Sequence, residues 1–426
     1  KKKKICIKYI TAGQYIIFFG QEPATVLSAL KKGKKTKKKR RKRMKKVYTT
    51  GAITMTVGAM LLGGAVSASA LEVKSGNDNV NLKLYGHINR AVMSVDDGNE
   101  SKLFHVDNSH SESRVGLKAK IAASESLTIG GNAEVQWQAN PSNKVSIDEE
   151  SISSELKERK MEVYFDADKI GKLSIGRGDM ASDSTSEVDL SGTDLAGNSG
   201  MADAGAGFSF YNTAPTPVTS EKAKEGEKDK GLTVGDIFNQ MDGLSKKNRV
   251  RYDTPSLGGF SLGVSAGEKE MADGALTYSG KFADGTQLKS GVAYSDPGKN
   301  YTQINGSASV LFGFGLNFTV AGGTRDLDKM PANGDDPTFM YGKVGYKAKI
   351  FSVGSTACSF DYGMFENIKN QDTEEEGTAY GVQVVQKLSD YNTELFAAYR
   401  NFELEDNTGA DYEPITLAMG GVRLKF

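Results

Sequence analysis

The chain has 426 residues, 38% of them apolar and 25% charged, and its 54 Lys and Arg against 53 Asp and Glu leave a formal net charge of +1. That total hides two opposites: residues 1–43 hold sixteen bases and one acid (Glu22), Lys45 and Lys46 add two bases, and 71–426 keeps 36 bases against 52 acids, or −16. The length allows one large β-domain or two ordinary domains, and the acidic balance excludes nucleic acid as a partner, because phosphate binding needs a basic footprint.

In chain order, residues 31–43 read KKGKKTKKKRRKR, a low-complexity basic run. Residues 1–43 are expected to be a disordered, non-native extension translated from DNA ahead of the gene, with Met44 as the true start. Residues 44–70 have the parts of a signal peptide: Lys45 and Lys46, an uncharged apolar run over 52–66, and Ala68-Ser69-Ala70 for the peptidase. The run is too short for a membrane span of roughly 20 apolar residues. Leu71 is the expected first mature residue; N-terminal sequencing that finds an earlier start would refute this. Of the two cysteines, Cys6 and Cys358, only Cys358 would survive cleavage, so the exported chain has no internal disulfide.

Beyond Leu71 no stretch is apolar for 18 residues. Instead, segments of about ten residues alternate with period two. Val115, Leu117, Ala119 and Ile121 alternate with Arg114, Lys118 and Lys120; Met340, Val344, Tyr346, Ala348 and Ile350 alternate with Lys343, Lys347 and Lys349. Sixteen strands are expected, at 80–94, 112–122, 126–138, 158–167, 172–178, 247–254, 259–267, 274–283, 286–295, 301–312, 314–325, 338–350, 352–366, 377–388, 392–403 and 414–426. Short connections alternate with long ones near 95–111, 139–157, 179–246, 326–337, 367–376 and 404–413. Aromatics bracket the short turns, among them Tyr252, Phe260, Phe282, Phe312, Phe314, Phe351, Tyr391 and Phe426.

Short turns at one end and long loops at the other describe an up-and-down barrel of even strand number. Aromatic rings at the turns suit a membrane interface. A soluble sandwich also alternates, but sixteen strands would fill two or three such domains and no composition break divides 71–426. The sequence therefore reads as all-β, a 16-stranded antiparallel transmembrane β-barrel. Lysine on the lipid side at midplane costs roughly 2–4 kcal/mol, so the strand lysines point to a wet lumen. Two places break the alternation. Leu417 and Met419 share parity with Arg423 and Lys425, and Arg177 shares parity with Leu173 and Ile175, where a bulge at Gly176 or Gly178 would be needed to turn it inward.

Several segments resemble Gram-negative general diffusion porins: LYGHIN at 84–89, SRVGLKA at 113–119, IGKLSIGRGD at 170–179, NRVRYDTPSLGGFSLGVSAG at 248–267, and the terminal GGVRLKF ending in Phe426. The resemblance spans nearly all of 71–426. It implies a homotrimer in the outer membrane, in contact with lipid and lipopolysaccharide, and passive diffusion of small hydrophilic solutes. It also implies a long constriction loop folded into the lumen, and assembly by the barrel-assembly machinery reading Phe426. The third long connection, 179–246, is the longest, and its second half is read as an extra external segment.

Residues 179–220 carry acids and no base. The resemblance places Asp179, Asp183, Glu187, Asp189 and Asp194 (with Asp203 nearby) on the constriction loop, facing a basic wall of Lys83, Arg114, Lys118, Arg249 and Arg251. Such surfaces make a transverse field in a poorly screened passage. The acidic total predicts a weak cation preference, and anion preference in a salt gradient would overturn it.

Other constellations offer less. Acidic clusters at Asp96, Asp97 and Glu100, at Asp148–Glu150 and at Asp372–Glu376 are oxygen-rich enough for loop-bound Ca²⁺, though their spacing matches no EF-hand. His87, His105 and His110 have no Ser–His–acid partnership legible in sequence, and no zinc or phosphate-loop pattern occurs, so no enzyme, catalytic residue, cofactor or metal site is expected. The alternative to general diffusion is a substrate-selective porin for sugars or anions. It would want an aromatic slide, for which Tyr85, Tyr164 and Tyr362 are candidates. A barrel plugged by its long loop is a third reading.

Overall fold

The structure is a computed structural model that describes residues 72–74, 79–214 and 231–426. The expected upstream extension and signal peptide lie outside the described residues. Sixteen strands carry the chain: β1 Val80–Asp96; β2 in two segments, Ser101–Asp107 and Arg114–Ser124; β3 Leu127–Gln138; β4 Glu155–Ala167; β5 Gly171–Asp179; β6 Lys246–Asp253; β7 Phe260–Gly267; β8 Ala272–Lys281; β9 Gln287–Asp296; β10 Tyr301–Leu311; β11 Leu316–Leu327; β12 Thr338–Phe351; β13 Gly354–Glu366; β14 Glu376–Leu388; β15 Thr393–Glu405; and β16 Ile415–Lys425. Each pairs antiparallel with the next, and β16 returns to β1 in the register His87↔Lys425 to Asp96↔Thr416, which closes the barrel. Gly86 and Phe426 exchange backbone hydrogen bonds of 3.0 Å at the end of that seam. Beyond it, Glu72–Lys74 pairs with Asn81–Lys83 and covers the edge that β16 is too short to reach.

The period-two pattern sorts the two faces. Val115, Leu117, Val163, Ile175, Val264, Val320, Met340 and Val382 are exposed on the outer face. Their strand neighbours Glu134, Glu162, Arg249, Asn305, Lys343, Asp361 and Arg400 are buried on the inner face. An apolar rind around a polar interior is the reverse of a soluble core. It is stable only where hydrocarbon replaces water outside.

All sixteen expected strands form, with one structural addition. The region 95–111, expected as a long loop, is a tight turn followed by the first segment of β2. Asp97 Oδ1 accepts hydrogen bonds from the Asn99 and Glu100 amides at 2.9 and 2.7 Å, and Gly98 takes φ +85°. Between the two segments of β2, Asn108 caps a 3₁₀ turn over Ser109–Ser111, and the Asn89 side chain donates to the Ser111 carbonyl at 2.8 Å.

The parity conflict in β16 resolves inward. Leu417 and Met419 share the inner face with Arg423 and are 1% and 3% exposed, because the long loop packs on them rather than lipid. For Arg177, β5 pairs without a register shift on either side, so no bulge occurs at Gly176 or Gly178. The irregularity lies next door, where Glu134 and Val135 oppose Lys160 and Glu158 and Arg159 is the extra residue. Arg177 Nε donates to the Glu158 carbonyl at 3.1 Å, toward the long-loop end of the strand.

Candidate functional site

The connection from β5 to β6 is fastened to the inner faces of distant strands. Its root is held by Asp273 on β8, which accepts from the Ser182 amide at 2.8 Å and the Ser182 hydroxyl at 2.5 Å. Ser307 and Ser309 on β10 accept from the Val188 and Leu190 amides, each at 2.9 Å, and Asn305 donates to Thr185 and Ser186. Farther along, Lys343 Nζ on β12 donates to Asp189 Oδ2 at 2.7 Å and to the Gly197 carbonyl at 2.6 Å, with both side chains almost fully buried. These strand side chains supply the partners that an irregular backbone needs when it runs out of water.

A second set of contacts is apolar. Leu195, Met201 and Phe208 from the loop pack with Met93, Phe104 and Leu417 from the wall, and Phe104 meets Phe208 edge-on at 5.3 Å. Residues 231–245 return to the same cluster. A capping box at Thr233 and Asp236 starts the single helical turn Val234–Ile237. Phe238 then lies 5.1 Å from Phe365 and 5.0 Å from Phe402. This part of the loop's second half is therefore packed against the inner wall and is not the external segment expected from its length; 215–230 lies outside the described residues. Where the loop approaches the mouth, Tyr211–Asn212 pairs with Tyr412–Glu413 of the last long connection.

Between the loop and the wall of β2 to β6 lies a cavity of about 990 Å³. The loop contributes Asp183, Glu187, Asp203 and Asp242; the strands contribute Arg114, Lys157, Glu158, Arg159, Arg177 and Lys246, joined by Arg325 of β11 and by Glu112 from the turn between the two segments of β2. Lys246 Nζ donates to Asp183 Oδ2 at 2.9 Å, and Arg159 bonds Glu134 at 2.7 Å and Gln136 at 2.9 Å. Burial raises the carboxyls of Asp183, Glu187 and Asp203, and neighbouring acids add to it. Burial and the nearby Glu187 push Asp242 up to about 8, although the Ser184 and Ser186 amides donate to it at 2.8 and 2.9 Å. Burial would raise Asp189 too, but the Lys343 ammonium beside it holds it below the usual carboxylate range.

The residues singled out from sequence divide into three groups. Asp183, Glu187 and Arg114 line the cavity. Asp179, Asp189, Arg249 and Arg251 instead hold the loop: Lys160 and Lys246 reach Asp179 at 2.5 and 3.3 Å, Arg249 pairs with Glu162 and donates to the Asp179 carbonyl, and Arg251 donates to the Met180 carbonyl at 2.6 Å. Asp194 is exposed on the loop, and Lys83 and Lys118 face each other across β1 and β2 near the short-turn end, away from the cavity. Arg159, Arg325, Asp242 and Lys246 were missed. Arg159 sits at an irregularity that breaks strand parity, and Asp242 belongs to the half-loop assigned to the exterior. Among the described residues no group of three or more His, Cys, Asp or Glu is gathered to hold a metal ion.

A closed barrel of sixteen antiparallel strands, apolar outside and charged within, defines a membrane-spanning channel protein. A family model described as Gram-negative porin matches residues 54–407, and the chain belongs to that family, the channels of the outer membrane. No curated protein matches it in sequence. Among solved structures it is similar to in-vitro folded OmpT, an outer membrane protein of Vibrio cholerae, at 14% identity over 84% of this chain and 100% of that one, with TM-score 0.53. It is similar also to the anion-selective porin from Comamonas acidovorans, at 16% identity over 82% of this chain and 100% of that one, with TM-score 0.51. The trimer form of OmpT matches at 14% identity over 82% of this chain and 100% of that one, with TM-score 0.50. At such identities the likeness concerns the fold.

Proposed function

We propose that this porin is a passive diffusion channel for small hydrophilic solutes and ions, and that the connection 180–245 forms its constriction. The observation that carries this reading is the charged cavity between the loop and β2–β6, with acids concentrated on the loop and most bases on the strands. In this reading Glu187, Asp203 and Asp242 face Arg114 and Arg159 across the passage, with Asp183 and Lys246 paired at its edge, and the field between the two sides orients a dipolar solute. Asp189, Arg249 and Arg251 act by holding the loop in place. Export by a cleaved signal peptide, homotrimeric assembly, contact with lipopolysaccharide and recognition of Phe426 by the assembly machinery belong to the same proposal; the trimer form of OmpT supports the assembly.

The substrate-selective alternative gains little. Of the three candidate tyrosines, Tyr362 is 42% exposed on the outer face. Tyr85 and Tyr164 do face inward, but each has a lysine over its ring, Lys118 at 4.7 Å and Lys172 at 4.4 Å, so no continuous aromatic row forms. Planar-bilayer recording in about 1 M KCl, where the Debye length is about 3 Å, tests the reading. Large steps linear in voltage are expected. Steps blocked by micromolar solute would favour the selective channel, and absence of steps would overturn both.

A further inference from the structure

The lysines that do not reach the loop cavity share another location. Lys83 and Lys118 face each other on β1 and β2, Lys120 follows two residues later, and Lys289 and Lys347 stand on the inner faces of β9 and β12. Each lies within a few residues of a short turn or of the strand end on that side. None of the five forms an ion pair among the described residues, and Lys83, Lys118, Lys120 and Lys289 are exposed to the lumen. Of the inner-face acids at this end, Asp253 is bound by Arg251 at 2.8 Å and Glu394 by Lys387, Arg423 and Lys425, while Asp166, opposite Lys172, is exposed and forms no ion pair among the described residues. A directly opposed like-charge pair such as Lys83 and Lys118 is destabilising in a sheet. The opposite end of the barrel is reversed in sign. Asp96, Glu149, Asp335, Asp336, Glu374 and Glu405 are all exposed at the long-loop end.

We propose that the channel has a second selectivity element: a basic collar at the short-turn mouth, which together with the acidic long-loop mouth makes the pore rectify. The inference rests on the channel reading above. The acidic mouth enriches cations and the basic mouth enriches anions. A voltage positive on the long-loop side drives cations in from the cation-rich end and anions in from the anion-rich end, so both carriers accumulate and conductance rises. The opposite voltage draws each carrier from the mouth that depletes it, and conductance falls. The collar, and not the loop cavity, then determines how readily anions enter from the short-turn side.

The test is single-channel recording of the purified barrel at both polarities, read as the ratio of the larger to the smaller current, which does not depend on which way a channel inserts. In about 0.1 M KCl, with a Debye length of about 10 Å, currents at about +100 and −100 mV should differ by roughly twofold, and the ratio should fall toward one at about 1 M. Reversal potentials in a tenfold KCl gradient should also differ between the two gradient directions, because the dilute-side mouth is the unscreened one. Lys83→Gln/Lys118→Gln/Lys120→Gln should cut the rectification while leaving the 1 M conductance unchanged. Equal wild-type currents at low salt, equal reversal potentials in both directions, or rectification unaffected by the triple variant would each overturn the collar. If that variant does not assemble, the salt and gradient series on the unmodified protein decide alone. Absence of any conducting step would instead strike at the channel reading itself.

Discussion

Asp242 is where side-chain chemistry meets permeation most directly. Its carboxyl titrates at about 8, raised by burial and by Glu187, against an ordinary aspartate near 4. Since the folded value lies above the unfolded one, folding takes up a proton between roughly pH 4 and 8, and the stability contributed by this group falls as pH rises through that window. At pH 6 the group is neutral; at pH 9 it adds a negative charge to the cavity. Cation preference, read from reversal potentials, should therefore increase through about pH 8, and Asp242→Asn should flatten that step. An unchanged pH profile in the variant would remove Asp242 from the passage. Lys343 and Asp189 show a different use of charge. The pair is buried and satisfied, and it fastens the loop rather than facing solute. Sequence alone grouped Asp189 with Asp183 because both are acids on a stretch without bases; both side chains are buried and paired, and only their place, Asp189 against Lys343 of the wall and Asp183 beside the cavity, separates an anchor from a lining residue.

At the scale of elements, the strands were legible because each has two environments and a period of two. The loop was not, because its apolar residues follow no period and are answered by positions on other strands. Leu417 and Met419 were the visible sign, apolar side chains in a register otherwise held by Arg423 and Lys425. An apolar residue on a wet face means that something covers it, and here the cover is Leu195, Met201, Phe208 and Phe238. Phe238→Ala removes a buried ring between Phe365 and Phe402, a change that costs roughly 3–5 kcal/mol in a rigid core. Since the barrel is closed without it, the cost should fall on the loop: faster proteolysis within 231–245 and noisier channel currents, with barrel melting unaltered. Joint loss of barrel and loop stability would show that the two fold as one unit.

For the whole molecule, the outer face decides solvent and assembly. Its apolar side chains cannot all face water, and a strand edge open to the bilayer is avoided by the β16–β1 seam. If three barrels associate through this face as proposed, unheated samples in mild detergent should migrate as a species of about three protomer masses and convert to monomer on boiling. A monomer at every temperature would refute the trimer and leave the channel standing.

The sequence by itself determined the strand number, the two faces of each strand, the family and the excess of acid on the first half of the loop. The family follows from the resemblance of segments such as 248–267, and the rest from local alternation and composition. Only the tertiary structure decided that β2 carries an extra segment, that 231–245 turns back inside, that Asp189, Arg249 and Arg251 are fasteners, and that Lys83 and Lys118 belong to the opposite mouth from the cavity. Those outcomes depend on which distant strands a loop meets and on height along the barrel axis. Neither quantity is recorded in the spacing of residues along a chain.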